Sequence, residues 1–541
     1  MRVFMCPMHG RLSPRHRKRW QFITCVQGRQ FMKQKVDVLF INPGNRKEIY
    51  QALGDEFCAI EPPAFAGLFA RFLQLKGLSV AILDAPALGL NSRQIADMAM
   101  QEFEPILVTL AVYGYQPSAS TQNMTAAGEV CQFIKDIKSD QPILMTGTHP
   151  AALPERTLTE EAVDFVCDLE GPITLYKTAL ALKEGARNFS AIPSLWWKEG
   201  EVLHRPTEAE GLIKDLDVEM PGIAWDLLDM SRYRAHNWHS FDHIHERAPY
   251  ASIHTTLGCP YKCSFCCINA PFGKPSYRMW KPETVVAEID RLVYTYGVKN
   301  IKFVDEMFVL NRNHVMGICD LLISRPYKVN IWAYARVDTV QEDFLGKLKQ
   351  AGFNWLCLGI ESASKHVRDG ALKRYGNEEI TEVVRQIQAA GIYVLGNYIF
   401  GLPDDSIQSM QETLDLAIEL NCEFGNFYSA MAYPGSQLYR QAVANQMRLP
   451  ARWHHFSQHG YDSLPLDNQY CTAADILEFR DDAFQKYFTG ERYLSMVRQK
   501  FGADVEEHVK RMCQVKLNRR IVEEKHSASR ARVESLSGST I

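Results

Sequence analysis

Short apolar runs alternate with helix-period stretches along most of the chain. Val36-Asp37-Val38-Leu39-Phe40-Ile41 is a β-branched apolar run that stops at Asn42-Pro43-Gly44, which predicts a buried strand followed by a loop. Comparable runs at 79–84, 106–112, 142–146 and 163–167 are separated by helix-period segments near 64–76, 92–102 and 119–138. Alternation at this spacing predicts an α/β fold with a parallel, doubly wound, Rossmann-like sheet over 36–190. Such sheets bind ligands at the carboxyl ends of their strands. Those ends carry Asn42-Pro43-Gly44, Tyr113-Gly114-Tyr115, Gly147-Thr148-His149-Pro150 and Glu170-Gly171-Pro172.

Residues 191–250 read as a hairpin and a linker. Ser194-Leu195-Trp196-Trp197 and Val202-Leu203-His204 flank Lys198-Glu199-Gly200-Glu201, and a connector containing Pro, Trp and His follows. A second βα series runs from 251 to 445, with strands near 251–257, 300–304, 329–335, 354–360, 392–400 and 424–431. Gly297, Gly352 and Gly391 fall just past the intervening helices. Six βα units suggest a partial (β/α)6 TIM-like barrel, with function on the loops after each strand. Residues 446–525 are aromatic and then helical. Residues 526–541, rich in Ser and Arg without an apolar period, read as a disordered tail.

Composition narrows the class. At 541 residues, two or three domains are expected, and 46% hydrophobic with 23% charged residues is ordinary for a globular chain. A net charge of −3 creates no field drawing the protein to nucleic acid or anionic lipid, and no apolar run approaches a membrane span. Residues 1–35 form a basic extension with nine Lys/Arg and no Asp/Glu, and Phe22–Val26 is too short for a secretory core. That stretch is either a basic arm or an extension ahead of a start near Met32. The 14 cysteines, without a secretory signal, point to free thiols in a reducing, cytoplasmic compartment.

One cysteine group stands apart. Thr256-Leu257-Gly258-Cys259-Pro260-Tyr261-Lys262-Cys263-Ser264-Phe265-Cys266 places three cysteines in a C-x3-C-x2-C array directly after the first barrel strand. One short loop can wrap three thiolates around three irons of a cubane and leave the fourth iron open for a ligand. A zinc site is the alternative, with Cys267 or His254 as fourth ligand. Cys267 is adjacent to Cys266, so both side chains would struggle to reach one ion.

The loop resembles the signature of the radical S-adenosylmethionine superfamily, which has an aromatic before the last cysteine, here Phe265. The resemblance extends through Phe303-Val304-Asp305-Glu306, Ala335-Arg336-Val337-Asp338, Gly359-Ile360-Glu361-Ser362 and Ile399-Phe400-Gly401-Leu402-Pro403. It implies a 4Fe–4S cluster on Cys259, Cys263 and Cys266. It also implies that Phe265, Asp305, Arg336 and Glu361 contact S-adenosylmethionine, with Glu306 beside Asp305 as a further candidate.

A doubly wound domain ahead of this barrel is similar to the cobalamin-binding domain of cobalamin-dependent members. Many cobalamin domains carry a D-x-H-x-x-G cobalt-ligating loop; it does not occur here, and the resemblance is to members that often lack its histidine. Contacts to cobalamin would then come from Asn42, Glu61, Thr109, Tyr113, Gly147, His149 and Glu170. The absence of G-x-G-x-x-G argues against a dinucleotide. The activity that this resemblance implies is that of a radical methyltransferase acting on an unactivated carbon of a small molecule, reduced by a donor such as flavodoxin or ferredoxin. A cobalamin-binding oxidoreductase or cyclase, and a non-catalytic iron–sulfur or corrinoid sensor, are the alternatives.

Overall fold

The computed structural model describes residues 32–537, apart from 115, 117 and 210. Of the basic extension expected over 1–35, residues 1–31 lie outside this range. β1 (Gln34–Asn42), β2 (Val80–Asp84), β3 (Phe103–Val112), β4 (Ile143–Gly147) and β5 (Phe165–Cys167) are parallel, in the order β2-β1-β3-β4-β5. Both faces of this sheet are covered. Val38 and Phe40 of β1 enter one apolar cluster, while Leu39 and Ile41 enter another. This is why these strands read as continuous apolar runs. Strand order reverses between β1 and β3, so the carboxyl edge opens a crevice there.

The hairpin belongs to this sheet and not to the linker. β6 (Leu195–Glu199) pairs antiparallel with β5 and then with β7 (Val202–His204). The rest of the linker packs. Trp238 lies with its ring centroid 5.0 Å from Trp332, 5.2 Å from Trp355 and 5.9 Å from Phe424. It thereby plugs the amino-terminal end of the barrel.

The expected strand at 251–257 is split into β8 (Tyr250–Ile253) and β9 (Thr256–Leu257). The Asp305 carboxylate accepts from the Thr255 and Thr256 amides at 2.6 and 3.0 Å, which pulls the backbone out of the ladder. β9 pairs instead with β10 (Arg278–Met279). β11 (Asn300–Phe303), β12 (Asn330–Arg336), β13 (Phe353–Glu361), β14 (Tyr393–Phe400) and β15 (Phe424–Ser429) complete a parallel sheet ordered β8-β11-β12-β13-β14-β15. The sheet is curved but open, since β8 and β15 do not pair.

Helices at Ala473–Phe488, Glu491–Phe501 and Ala503–Gln514 follow the barrel. The tail expected to be disordered from 526 is helical to Ser537, in a helix that starts at Arg520. Its anchor lies just upstream of that boundary. Ile521 and Val522 pack on Leu464, Ala473 and Leu477, and Lys525 and His526 pair with Glu478. Once anchored, a helix extends at one hydrogen bond per residue fixed, with no apolar stripe required.

Candidate active site

The cysteine loop begins at Gly258, held at φ +86°, where a Cβ would come within 2.6 Å of the Ser276 carbonyl oxygen. Cys259 is buried and Cys263 and Cys266 are half-buried. The Cys266 amide donates to the Cys263 carbonyl at 3.1 Å, and the Asn269 amide group braces the loop at Cys259 and Tyr261. Burial pushes the Cys259 and Cys267 thiols up to about 12 and Cys266 well above its ordinary value. These sulfurs therefore become thiolates only with a compensating cation, as a metal provides.

The donor set distinguishes a cubane from zinc. Tetrahedral zinc with Zn–S of about 2.3 Å brings its sulfurs to within about 3.8 Å of one another. Among the described residues, the three-residue donor set with ligand atoms all within 4.8 Å is His454, His455 and Asp462. Three thiols on one loop, with Cys267 directly adjacent to Cys266, suit an iron–sulfur cubane that leaves one iron open.

All three cysteines face a chamber of about 1230 Å³, including its open mouth, at the carboxyl ends of the barrel strands. Phe265, Glu306, Arg336, Glu361 and Lys373 share its wall. Arg336 ends β12, donates through Nε and Nη2 to both Asp338 oxygens at 2.9 Å, and lies 3.9 Å from the Tyr261 ring. Its Nη1 reaches Cys263 Sγ at 3.5 Å. Glu361 ends β13 with φ +66° and forms a buried ion pair with Lys373. Burial disfavours the Lys373 ammonium, but the Glu361 carboxylate more than offsets this and holds it charged. Lys373 Nζ also stands 5.9 Å from the Phe265 ring centre.

Asp305 does not line this chamber. It is committed to Thr255 and Thr256, and burial raises it to about 6. Its neighbour Glu306 lines the wall instead, and burial pushes its carboxyl up to about 7. Lys373 was not legible in the sequence, because no motif places a lysine 12 residues after a strand-end glutamate.

A second chamber, of about 1530 Å³ including its mouth, adjoins the first and shares Gln116, Ser118, Tyr334, Tyr428, Tyr433 and Gln458 with it. Gln116, Ser118, Ala119 and Gln122 bring the carboxyl edge of the N-terminal sheet to this space. Trp332, Tyr334 and Phe427 face it from the barrel. Glu61 also lines it. Lys302 on β11 reaches the Glu61 carboxylate at 3.1 Å, and with His236 it holds Glu61 ionised although burial opposes this.

The other expected cobalamin contacts are dispersed. Tyr113 stacks on Phe65 with centroids 3.9 Å apart, donates to the Glu170 carbonyl at 2.9 Å, and lines a crevice with Glu61. Asn42 donates to Asp84 at 2.9 Å and lines a small pocket with Asn45 and Arg46. Thr109, Gly147, His149 and Glu170 border none of these spaces. The Thr109 hydroxyl is buried in the sheet, and a Cβ on Gly147 would lie 2.1 Å from the Val112 oxygen. The His149 ring, its Nδ1 3.2 Å from the Thr121 hydroxyl, packs against Trp453, and burial drops its pKa to about 3. Glu170 pairs with Arg278 at 2.7 Å and accepts from the Ile213 amide. These four build the domain and its junction with the barrel.

Residues 253–417 match the Radical SAM superfamily. An uncharacterized methyltransferase of Pyrococcus horikoshii is 28% identical over 466 residues, 86% of this chain and 91% of the relative. The anaerobic magnesium-protoporphyrin IX monomethyl ester cyclase of Rubrivivax gelatinosus is 26% identical over 412 residues, 75% of this chain and 69% of the relative. The fold is shared with the radical S-adenosylmethionine methyltransferase TsrM from Kitasatospora setae, in a structure with cobalamin and a [4Fe–4S] cluster bound. That likeness has a TM-score of 0.62 at 18% identity and covers 85% of this chain and 89% of that one. The cobalamin-dependent enzyme OxsB, with aqua-cobalamin and S-adenosylmethionine bound, superposes with a TM-score of 0.63 at 15% identity over 88% and 71% of the two chains. Residues 253–417 form a radical SAM domain, and such a domain implies a 4Fe–4S cluster and S-adenosylmethionine.

Proposed function

We propose that the chain is a cobalamin-dependent radical S-adenosylmethionine methyltransferase acting on an unactivated carbon of a small molecule. The observation that carries this reading is the meeting of the two chambers. The three-thiol loop opens into one, the carboxyl edge of the doubly wound sheet opens into the other, and Tyr334, Tyr428 and Tyr433 border both. In this reading Cys259, Cys263 and Cys266 hold the cluster. Glu306, Arg336 and Glu361 hold S-adenosylmethionine, a carboxylate matching its amino group and a guanidinium its carboxylate. Phe265 offers its ring and backbone to the adenine. The wall of the second chamber, through Gln116, Gln122 and Gln458, holds cobalamin. Together the bound cofactors supply a 5′-deoxyadenosyl radical and a transferable methyl group. The residues around them orient these groups and keep water out, with Trp238 closing the barrel floor. The names of the Pyrococcus and Kitasatospora proteins support methyl transfer.

The cyclase relatives favour a second reading, ring closure without methyl transfer. The deciding experiment is anaerobic reconstitution with iron, sulfide and cobalamin, followed by product mass. About four irons per chain are expected, with 5′-deoxyadenosine formed and the substrate heavier by one methylene. Replacing the three cysteines together by Ala should abolish cluster and cleavage, while Cys267→Ala should retain both. An unmethylated product would leave the cyclase, and a cluster surviving the triple substitution would sink the ligand assignment. The electron donor belongs to this reading as an external low-potential protein.

A further inference from the structure

A group of metal-type donors that borders neither chamber stands on the segment after the barrel. His454 and His455 fall in the short 3₁₀ turn Trp453–Phe456, and the chain returns to them at Asp462. Each residue is half-buried and offers one ligand atom, and the three ligand atoms all lie within 4.8 Å of one another. The turn makes this possible. Adjacent side chains of an extended strand point to opposite faces, whereas these two rings lie 4.4 Å apart at 89°. The Leu464 amide donates to the His455 carbonyl at 3.1 Å, which folds the returning segment against the turn and brings Asp462 alongside.

Two of the three donors are held from behind. The His454 amide and ring Nδ1 lie 3.2 and 3.1 Å from the Thr125 hydroxyl, on the helix Ala119–Ile137, so Nε2 remains as the ligand atom. Asp462 Oδ1 accepts from Arg520 Nε, and Oδ2 stands 3.7 Å from His455 Nε2. That gap is too long for a hydrogen bond. It is close to the separation of about 3.3–3.6 Å between two ligands that each lie about 2.0–2.2 Å from a tetrahedral zinc. Groups that fix the far side of a histidine or carboxylate are the usual support of a metal site. Arg520 opposes a cation here, but it is shared with Glu524 at 3.2 Å. Two imidazoles with one carboxylate select a late first-row divalent ion over calcium or magnesium, which prefer oxygen alone.

We propose that His454, His455 and Asp462 bind a divalent transition metal of the zinc class, at a site separate from the cysteine loop. The ion is a clamp. Thr125 belongs to the N-terminal domain, Arg520 opens the last helix, and the clamped segment carries Gln458 into the wall of both chambers. There Gln458 exchanges two hydrogen bonds of 2.9 Å with the Ser429 backbone.

The test uses the full-length protein without a histidine tag, its cysteine loop first loaded with iron and sulfide and the excess removed. Zn²⁺ is titrated by calorimetry into the parent and into the variant carrying His455→Gln and Asp462→Asn. The parent should bind one further Zn²⁺ per chain, and the variant should bind it at least about tenfold more weakly. Zn²⁺ should raise the melting temperature of the parent, because only the folded chain brings the three donors together. X-ray absorption at the zinc edge of the loaded parent should show nitrogen and oxygen neighbours alone. No further Zn²⁺ in the parent, no rise in its melting temperature, or equal affinity in the variant would each overturn the proposal. So would sulfur neighbours at about 2.3 Å, which would put the ion on cysteines. Should the double variant not fold, His454→Gln, which keeps a polar side chain beside Thr125, takes its place with the same expected loss.

Discussion

Burial places Glu306 at a pKa of about 7, with Lys302 drawing it down and Asp305 pushing it up. Its carboxylate therefore forms as pH rises through neutrality, and only that form attracts the ammonium of S-adenosylmethionine. Affinity for S-adenosylmethionine, read by calorimetry, should strengthen between pH 6 and 8 by up to about 1.4 kcal/mol, and Glu306→Gln should flatten the profile. Glu361 is placed differently, in a buried ion pair with Lys373. Glu361→Ala leaves a buried ammonium without its partner and should lower stability by about 3–5 kcal/mol as well as weaken cofactor binding. Glu361→Gln, which keeps a hydrogen-bonding oxygen, should cost less in chemical denaturation. Equal stability losses for the two variants would mean that the ion pair matters little to the fold.

Among the elements, the short helix Thr148–Ala152 links the N-terminal sheet to the segment after the barrel, through His149 against Trp453. The folded pKa of His149 is about 3, against 6.5 when exposed. Below pH 6.5 the unfolded chain takes up a proton that the folded chain refuses, so this contribution to stability is lost as pH falls. The slope is about 1.4 kcal/mol per pH unit for one proton. His149→Gln removes the titration, so its cost relative to the parent should be smaller at pH 5 than at pH 7 in urea unfolding. A cost independent of pH would show that His149 is solvated in the folded state. The helix Arg520–Ser537 makes the complementary point, since its polar far end is ordered by an anchor at Ile521 and Lys525.

Over the whole molecule, the two α/β units share one continuous apolar core that runs from Val38 and Phe40 through Trp225 and Trp238 into the barrel. Two buried ion pairs cross the same junction: Glu61 with Lys302 and Glu170 with Arg278. Arg278→Ala leaves Glu170 buried without its partner, which should cost about 3–5 kcal/mol, while Glu170→Gln with Arg278→Met should cost much less. The shared core also predicts one cooperative unfolding transition reported alike by probes in both units. Two separated transitions would contradict it.

Local pattern determined much of this protein. Apolar runs and helix periods marked the strands of both sheets to within a few residues, because a strand covered on both faces needs an unbroken apolar run wherever it lies. The spacing of Cys259, Cys263 and Cys266 was legible for a similar reason, since three cysteines on one loop need no distant partner to come together. What stayed illegible depends on contacts between residues far apart in the chain. Only the tertiary structure could turn Asp305 onto Thr255 and Glu306 into the chamber, as both lie in the loop past β11, where no strand alternation sets their directions. Only it could pair Glu361 with Lys373 and commit Glu170 to Arg278. Position along the chain suggests seven cobalamin contacts, but burial and partner decide which of them see the cavity. The hairpin's place in the N-terminal sheet and the ordering of the tail were likewise decided by pairing and anchoring, which no single segment encodes.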